Sequence, residues 1–410
     1  MSQQFEHDRA EERERIAFFV PSLTGGGVQR IALVLAGAFA REGHPVDLLV
    51  TRSGGDYADA LPPGVTLHVL KPGGLIAARR LAHQCSGLRW NTLLRPVMAP
   101  LRASRILRHI EPLAEYLRGH RPAALVAGMS YPNLVALWAR TLSGVDTRVI
   151  VVEHNTLSKT LERAGAKWRW RHLPAVLRAA YPCADHVLAV SHGVAHDVAA
   201  TTGLSPACIE TVYNPVVTPE LYAQAAADVS DPWIDDDGPP LIVGVGRFAK
   251  AKRFDLLIEA FARVRRNRPA RLLLLGDGRD RGELEAQIAR LGLTQDVRMP
   301  GFARNPYAYL ARAAVFVLSS DYEGLPTVLI EALACGATVV STDCPSGPRE
   351  ILDDGRYGRL VPCGDVEALA EGILDAIATP ADAGRQRQRA DVFSLESSMQ
   401  RYRQLCVGPG

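Results

Sequence analysis

Several features of specialised proteins are missing from this sequence. No uncharged stretch approaches the roughly 20 apolar residues that a membrane-spanning helix needs. The net charge is only +3 over 410 residues, so no overall basic field favours nucleic acid as a partner. Residues 1–15 are polar and rich in glutamate and arginine, unlike a secretory signal peptide, and we expect a disordered leader there. If this protein meets a membrane, we expect it to lie on the surface.

Cysteine pairs are also missing. The seven cysteines form no CxxC pair and have no metal-ligand spacing. Cysteines spread in this way usually fill protein cores as small apolar residues. This use suits a reducing compartment, so we expect a cytoplasmic protein.

What the sequence does contain is an alternation of short apolar runs and helical periodicity along most of its length. Continuous apolar runs between helices predict parallel, doubly wound sheets. A chain of 410 residues is too long for one ordinary core and suits two α/β domains. The predicted strands are 16–20, 46–51, 67–70, 124–127, 149–153 and 186–190 in the first half, and 241–245, 271–275, 314–319 and 338–341 in the second.

The breaker-rich stretch 235–240 marks the boundary between the halves. The predicted order is a leader at 1–15, a first domain at 16–215, a linker at 216–240, a second domain at 241–393 and a terminal helix at 394–410. We expect the principal ligand to bind between the two domains.

A glycine- and cation-rich loop follows the first strand of the second half. Gly244, Gly246 and Ala249 match the G-x-G-x-x-A pattern of dinucleotide sites. In such sites, however, the helix opens at the second glycine, whereas here four cations precede it. Cations after a strand end suit a diphosphate that must be stabilised as it leaves. A dinucleotide site and a solvated charged loop remain alternatives. The four cations are Arg247, Lys250, Lys252 and Arg253.

A sharper motif spans residues 319–331, Ser-Ser-Asp-Tyr-Glu-Gly-Leu-Pro-Thr-Val-Leu-Ile-Glu. Pro326 suits the first position of a helix, whose start would attract phosphate. The amides expected to point outward there are those of Gly324, Leu325 and Thr327. Glu323 precedes the predicted helix and Glu331 lies within it. An ordinary solvated position for Glu331 is the alternative, but its neighbours in sequence are apolar.

The spacing Glu323-x7-Glu331, with Gly246-Arg247 and Lys252 upstream, closely resembles the retaining GT-B glycosyltransferases of family 4. The resemblance implies two Rossmann-like domains that face a central cleft, with the terminal helix returning to the first domain. It implies that Arg247 and Lys252 hold a nucleotide diphosphate, Glu331 the ribose and Glu323 the transferred sugar. No divalent metal or other cofactor is expected, and no DxD motif stands out in the loops concerned.

Two further stretches match the family. Residues 299–302, Met-Pro-Gly-Phe, look like its nucleobase-binding turn, which assigns Phe302 to the donor site. Residues 276–278 look like a companion strand end, which adds Gly276 and Gly278. The stretch 342–351 resembles a subgroup acting on UDP-linked hexoses or N-acetylhexosamines in bacterial glycan assembly, although a plain Pro/Gly loop is the alternative.

In the first half, the resemblance points to Gly26 and Gly27 as donor-facing glycines and to His154 as a catalytic side chain beside the donor sugar. A tight turn and a structural histidine are the alternatives. Ser191-His192-Gly193 and Asn214 match motifs at the domain edges.

Two basic, aromatic-bearing segments suit anionic lipid. We expect them to dock the protein on the inner membrane face, near a polyprenyl-diphosphate-linked or other membrane-associated glycan acceptor; ordinary surface helices are the alternative. The candidate membrane residues are Arg79, Arg80, Arg102, Arg105, Trp168 and Trp170.

Other functions compete with sugar transfer. An NAD-dependent oxidoreductase would use the Gly244-x-Gly246 loop but leaves Glu323-x7-Glu331 without a role. A catalytically inactive nucleotide- or glycan-binding protein on the same fold is disfavoured because the charged motif residues are all present. An epimerase is possible on this fold, and a phosphorylase would need a pyridoxal lysine that no motif identifies.

Overall fold

The computed structural model describes residues 13–408, except for residues 25, 87–104, 165–171, 230 and 235–237. The chain divides into two compact units. Unit 1 comprises Met1–Val190, Val194–Val212 and Ser398–Gly410, and unit 2 comprises Ser191–Gly193 and Tyr213–Ser397.

Unit 1 contains a seven-stranded parallel sheet in the order β3-β2-β1-β4-β5-β6-β7. The continuous apolar runs of β1 and β4 are buried on both faces, as the sequence predicts. The strand order reverses between β1 and β4, and ligands of doubly wound sheets bind at the carboxyl ends beside such a reversal. The strands are β1 Ile16–Val20, β2 Val46–Val50, β3 Val65–Val69, β4 Ala124–Gly128, β5 Arg148–Glu153, β6 His186–Ala189 and β7 Glu210–Thr211.

Helices surround this sheet. Their bounds are Gly27–Arg41, Leu75–Ser86, Ile110–His120, Ser130–Ser143, Leu157–Ala164, Leu173–Ala180, His192–Thr202 and the terminal Leu395–Cys406. The terminal helix buries Met399, Tyr402 and Leu405. In unit 1, its Arg403 pairs with Glu42 at 2.7 Å and its Arg401 with Glu210.

Unit 2 contains a six-stranded parallel sheet in the order β10-β9-β8-β11-β12-β13, with the same reversal between β8 and β11. Its strands are β8 Leu241–Val245, β9 Arg271–Leu275, β10 Val297–Gly301, β11 Val315–Leu318, β12 Val339–Thr342 and β13 Arg359–Val361. Its helices are Pro219–Ala225, Phe254–Asn267, Arg281–Arg290, Tyr307–Leu310, Thr327–Ala334, Pro348–Ile351, Val366–Ala378 and Ala383–Ala390.

The segment 216–240, expected from its sequence to be a linker, lies within unit 2. The amides of Val216 and Val217 bind the Phe393 carbonyl at 3.0 and 3.1 Å. Helix Pro219–Ala225 follows, with the Thr218 side chain capping its first turn. Near the end of the segment, Trp233 lies 5.3 and 5.1 Å from the guanidinium groups of Arg271 and Arg298. The described part of this segment is therefore packed structure.

Candidate active site

Many of the residues singled out in the second half lie on three loops of unit 2. These loops follow β8, β9 and β11, and β8 pairs with both other strands. Because the strands are parallel, their carboxyl ends meet at one edge, beside the reversal of strand order. The fold thus brings together chain segments that are some seventy residues apart, as the Lys252–Glu323 separation of 71 shows.

At this edge, Lys252 and Glu323 form an ion pair. The Lys252 ammonium lies 2.6 Å from Glu323 Oε1, and the two side chains are 26% and 12% exposed. The Ser320 hydroxyl donates to the same carboxylate oxygen at 2.6 Å. Such charge-assisted hydrogen bonds fix side-chain geometry better than neutral ones. A cation and a carboxylate are therefore held side by side where a charged ligand can reach both.

The loops after β8 and β11 are also joined through their backbones. The Ser319 hydroxyl donates to the Lys252 carbonyl at 2.8 Å, and the Asp321 amide donates to the Ala251 carbonyl at 2.9 Å. Arg253 adds ion pairs to Asp321 at 3.0 Å and to Asp255 at 3.1 Å. Arg253 therefore adds to the links between these loops that Lys252 makes through Glu323.

The helix after β8 begins at Phe254, well after Gly246. A dinucleotide loop would start its helix at the second glycine, so that the helix amides meet the pyrophosphate. This geometry disfavours the NAD alternative for the Gly244-x-Gly246 pattern.

Two glycines after β9 permit a close backbone contact with the loop after β8. A Cβ atom on Gly276 would lie 1.9 Å from the Gly246 carbonyl oxygen, and one on Gly278 would lie 2.3 Å from the Phe248 carbonyl oxygen. The Phe248 amide also donates to the Asp277 carbonyl at 2.9 Å. Any side chain at 276 or 278 would force these loops apart.

Residues 299–301, expected to form a turn, belong instead to the last residues of β10. The Gly276 amide donates to the Gly301 carbonyl at 2.9 Å. Phe302 follows directly and is 70% exposed. An exposed aromatic ring after a strand end, beside the glycine loop, is suited to stacking on a planar group.

The helix after β11 begins at Thr327, one residue later than predicted. Pro326 is its N-cap residue, with ψ 97°, and not its first helical residue. Gly347 packs closely against this proline, because a Cβ atom on Gly347 would lie 2.4 Å from the Pro326 ring. The stretch 342–351 therefore packs against the helix start, and the Pro345 carbonyl accepts from the Glu323 amide at 3.4 Å. The candidate site includes this stretch.

Glu331 is buried in the same helix, at 4% exposure, among buried neighbours. The structure excludes the interpretation of Glu331 as a solvated helix residue. A buried carboxylate is costly unless it is hydrogen-bonded or paired.

Sequence reasoning missed the role of Glu350. Its carboxylate accepts from the amides of His192 and Gly193 at 2.9 and 3.4 Å. The Ser191 hydroxyl donates to the Gly324 carbonyl at 3.0 Å. Ser191–Gly193 is thus bound into unit 2, directly beside the start of helix Thr327–Ala334. The signal available in the sequence was an acidic residue two positions after the Ser346-Gly347-Pro348 turn.

In unit 1, His154 follows β5 and lies against the end of β4. A Cβ atom on Gly128 would be 2.9 Å from His154 Nε2, so the glycine provides the space that the imidazole occupies. Burial lowers the pKa of His154 to about 4. The ring is therefore neutral at pH 7 and retains one nitrogen that can accept a proton.

The predicted glycines of the first loop differ from those of unit 2. Gly26 caps helix Gly27–Arg41, and a Cβ atom on Gly27 would meet no atom within 4 Å. Packing inside the described structure does not demand glycine at position 27. Gly25 lies outside the described residues.

Some of the candidate membrane residues can be placed. Arg79 and Arg80 lie on helix Leu75–Ser86, which also carries Ile76 at 79% exposure. Arg105 begins the short helix Arg105–His109. Arg102, Trp168 and Trp170 lie outside the described residues.

The described residues carry neither a membrane-spanning helix nor a cluster of metal ligands. Their helices include none with the length and apolar character of a membrane span. Their His, Cys, Asp and Glu side chains form no group of three or more arranged to hold a metal ion.

Two family models match the chain, one for each half. The model for Glycosyltransferase Family 4 matches residues 25–219, and that for Glycosyl transferases group 1 matches residues 229–392. The chain belongs to glycosyltransferase family 4. This identification confirms the family predicted from Glu323-x7-Glu331 and shows that the protein is a glycosyltransferase.

The family 4 chain is similar over most of its length to a characterised transferase. It is 29% identical over 363 residues to N-acetylgalactosamine-N,N'-diacetylbacillosaminyl-diphospho-undecaprenol 4-alpha-N-acetylgalactosaminyltransferase of Campylobacter jejuni, covering 88% of this chain and 89% of the relative.

Solved structures confirm the GT-B fold of this family 4 enzyme. The lipopolysaccharide outer core galactosyltransferase WaaB in its apo form superposes with a TM-score of 0.67 at 21% identity, covering 96% of this chain and 99% of that one. The Anabaena protein Alr3699/HepE, in complex with UDP and glucose, superposes with a TM-score of 0.72 at 17% identity, covering 96% and 99%.

Proposed function

We propose that this enzyme transfers a hexose or N-acetylhexosamine from a UDP-linked sugar to a membrane-associated or polyprenyl-diphosphate-linked glycan, with retention of anomeric configuration and without a divalent metal. The observation that carries the proposal is the Lys252–Glu323 pair at the edge of the sheet beside the strand reversal. It supplies a cation for a leaving diphosphate and a carboxylate for the transferred sugar.

In this proposal the charge that develops on the departing UDP is offset by Arg247, Lys252 and the start of helix Thr327–Ala334. A diphosphate bound beside Lys252 competes with Glu323 for the ammonium group, which releases the carboxylate toward the sugar. Donor binding and the placement of Glu323 are thereby coupled.

Other residues are proposed to contact the remaining parts of the donor. Glu331 binds the ribose, and the amides of Gly324, Leu325 and Thr327 bind phosphate. His154 acts beside the transferred sugar. Backbone groups of the glycine loops, with the Phe302 ring, receive the nucleotide; these glycines are Gly26, Gly27, Gly246, Gly276 and Gly278. The Anabaena protein of the same fold, solved with UDP and glucose, supports a donor of this chemistry.

The acceptor side of the proposal rests on the Campylobacter relative, whose name specifies an acceptor linked to diphospho-undecaprenol. An enzyme acting on such a lipid works at a membrane surface. We place this enzyme in the cytoplasm, peripheral on the inner membrane face. Arg79, Arg80 and Arg105 supply positive charge for anionic lipid, at about 1 kcal/mol per cation near the surface, and the exposed Ile76 supplies an apolar contact.

A thermal-shift panel tests the donor first. The purified protein is heated with UDP, GDP, ADP or NAD, each with and without EDTA. A ligand that binds only the folded state stabilises it by about 2.7 kcal/mol at 100 times its Kd. We expect a shift with UDP that EDTA leaves unchanged. A shift with NAD alone would contradict the transferase assignment of the loops, and loss of the UDP shift in EDTA would contradict metal independence.

Transfer itself is measured with UDP-hexoses and UDP-N-acetylhexosamines on a polyprenyl-diphosphate-linked acceptor. Proton NMR of the product identifies the anomer. A product with inverted configuration would overturn the retaining assignment while leaving the donor assignment intact.

A further inference from the structure

A buried polar network lies directly beneath the His154 loop. Glu153, the last residue of β5, is 3% exposed. The Tyr181 hydroxyl donates to Glu153 Oε1, and the Ser130 hydroxyl is 3.1 Å from Glu153 Oε2. Asn133 Nδ2 donates to the Val152 carbonyl at 3.2 Å and to the Tyr181 hydroxyl at 3.1 Å.

The donors and acceptors fix the direction of most of these bonds. The Val152 carbonyl can only accept, so the Asn133 amide presents its NH₂ group to both partners. Tyr181 accepts one of these hydrogens and has its own proton left for Glu153 Oε1. At Glu153 Oε2, by contrast, the Ser130 hydroxyl can donate to a carboxylate or accept from a carboxylic acid. Each Glu153 oxygen therefore has a hydrogen-bond partner in either protonation state, but ionisation reverses the direction of the Ser130 bond and adds a buried charge to the network.

The same network joins the ends of two neighbouring strands. Met129, after β4, has a positive φ of 80°, and its amide donates to the Val152 carbonyl at 3.0 Å. A strained residue of this kind persists only where its surroundings hold it. Gly128, against which the imidazole of His154 lies, immediately precedes Met129.

A second clamp holds the chain beyond His154. The Asp197 carboxylate accepts from the amides of Leu157 and Ser158 at 2.5 and 3.1 Å. His154 therefore lies on a short loop that is fixed on one side by Glu153 and on the other by Asp197. Because both ends of the loop are held, the position of the imidazole ring depends on these two carboxyl groups.

We propose that Glu153 is a positioning residue of the transfer reaction, which holds the His154 imidazole against Gly128 by tying the end of β5 to the first turn of helix Ser130–Ser143. This inference rests on the proposed function through the role of His154 beside the sugar. Glu153 itself is buried and touches no substrate.

The charges around Glu153 make this placement sensitive to pH. Burial raises the pKa of Glu153 to about 7, although hydrogen bonds from Tyr181, Ser130 and Asn133 oppose the rise, and the nearby Asp197 adds to it. His154, next in the chain, stays neutral over the same range because burial lowers its pKa. Glu153 thus changes charge near neutral pH while the ring it holds does not.

Glutamine distinguishes the two protonation states of this position. In Glu153→Gln, the amide oxygen accepts from Tyr181 and the NH₂ group donates to Ser130, as the neutral acid would. If ionisation of Glu153 displaces the imidazole, the transfer activity of the native protein should change near pH 7. We expect Glu153→Gln to keep kcat within about threefold of the native value and to lose this pH dependence. We expect Glu153→Ala to lower kcat by roughly 10- to 100-fold with little change in KM, since small misplacements of reacting groups cost this much.

An activity-independent measurement accompanies the kinetics. The ¹⁵N resonances of histidine imidazoles are followed against pH and assigned by comparison with His154→Asn. We expect His154 to titrate near pH 4 in the native protein and in Glu153→Gln. In Glu153→Ala we expect it to move toward the ordinary value of about 6.5, because the ring becomes solvated.

Further variants and a control distinguish loss of positioning from misfolding of the protein. Tyr181→Phe and Ser130→Ala each remove one hydrogen bond to Glu153 and should give intermediate effects on both readouts. Glu367→Gln, an exposed carboxylate in unit 2 whose side chain is 67% exposed, is the matched control and should change neither.

The outcomes separate the two proposals. A His154 titration unchanged in Glu153→Ala, Tyr181→Phe and Ser130→Ala would overturn the positioning role, whatever the activity. A shifted titration in a protein whose transfer from UDP-N-acetylgalactosamine and other UDP-sugars is unaffected by His154→Asn would overturn the catalytic role of His154 and leave the positioning of its ring intact.

Discussion

The two units of this enzyme use the same sheet plan to build different chemical environments. Each sheet reverses its strand order once, between β1 and β4 in unit 1 and between β8 and β11 in unit 2. In unit 2, Lys252 on the loop after β8 and Glu323 on the loop after β11 form a partly exposed ion pair. At the end of β5 in unit 1, Glu153 and His154 lie where burial favours the neutral form of both.

The sheet therefore determines where side chains from different segments come together, and the loops determine the charge and exposure of those side chains. A partly exposed ion pair can be opened by an incoming diphosphate because its net stability is small. The buried carboxyl group of Glu153 instead changes its charge near neutral pH. The predictions below test this contrast, beginning with the largest expected effect.

Removing either charge from the unit 2 pair should abolish most activity without unfolding the protein. We expect Glu323→Gln and Lys252→Met each to lower kcat by about 10²–10³-fold, as for the loss of one oriented transition-state contact. The free energy of unfolding should change by only about 1 kcal/mol, because the pair is partly exposed. Transfer rates and urea denaturation measure the two effects. Activity within twofold of native for both variants would contradict the roles proposed for Lys252 and Glu323.

Substitution of Gly276 and Gly27 by alanine should distinguish a glycine that is needed for packing from one that is needed for ligand binding. Gly276→Ala places a Cβ atom 1.9 Å from a backbone oxygen, and we expect it to destabilise unit 2 by roughly 3 kcal/mol through overpacking and to weaken UDP binding. Gly27→Ala meets no atom within 4 Å, so we expect unchanged stability and weaker donor binding. Thermal unfolding with and without UDP measures both. Equal stability of the two variants would contradict the packing argument.

The neighbouring Glu153 and His154 should make opposite contributions to stability as pH changes. The folded pKa of Glu153 is raised to about 7, so its contribution is present below about pH 4.5 and is lost as pH rises to about 7. The folded pKa of His154 is lowered to about 4, so its contribution is present above about pH 6.5 and is lost as pH falls. Each reaches at most about 3 kcal/mol.

In the native protein the two contributions should partly cancel between about pH 4.5 and 6.5. We expect Glu153→Gln to leave a stability that rises with pH in this range, and His154→Asn to leave one that falls. Urea denaturation at several pH values measures the slopes. Parallel slopes in both variants would contradict the opposite pKa shifts of Glu153 and His154.

The smallest effect should be on membrane binding. We expect Arg79→Glu and Arg80→Glu to weaken flotation with anionic liposomes by several-fold each, at about 1 kcal/mol per cation, and Ile76→Glu to do likewise. Arg356→Glu, at a site in unit 2 where the side chain is 72% exposed, is the matched control. Equal flotation of all four variants would contradict docking through helix Leu75–Ser86.

The sequence was sufficient for most of the central strands, because their buried residues form apolar runs. It missed β10, whose last residues were interpreted as a turn. It was less sufficient for short elements. The two-residue β7 and the three-residue β13 have too few residues to show periodicity. Helix Pro219–Ala225 was missed although its Thr218 cap and first-position proline are recognised start signals.

The sequence singled out Lys252 and Glu323, which the structure brings together, but it did not predict their contact. The apolar neighbours of Glu331 indicated its burial. The Lys252–Glu323 pair, by contrast, depends on strand order, which no local pattern encodes. The Glu153 network depends on Tyr181 and Ser130, which come from separate segments; the signal in the sequence was a single acid closing an apolar strand.

The terminal helix also bears on how the protein is made. Met399, Tyr402 and Leu405 complete the core of unit 1, yet they leave the ribosome only after residues 213–397 of unit 2. Domains generally fold as units during synthesis, beginning with the N-terminal one. Here residues 213–397 of unit 2 emerge whole while the earlier unit still lacks its last helix. The first unit begun is therefore the last one finished, and a stalled or truncated chain would carry an incomplete unit 1 with an exposed apolar core.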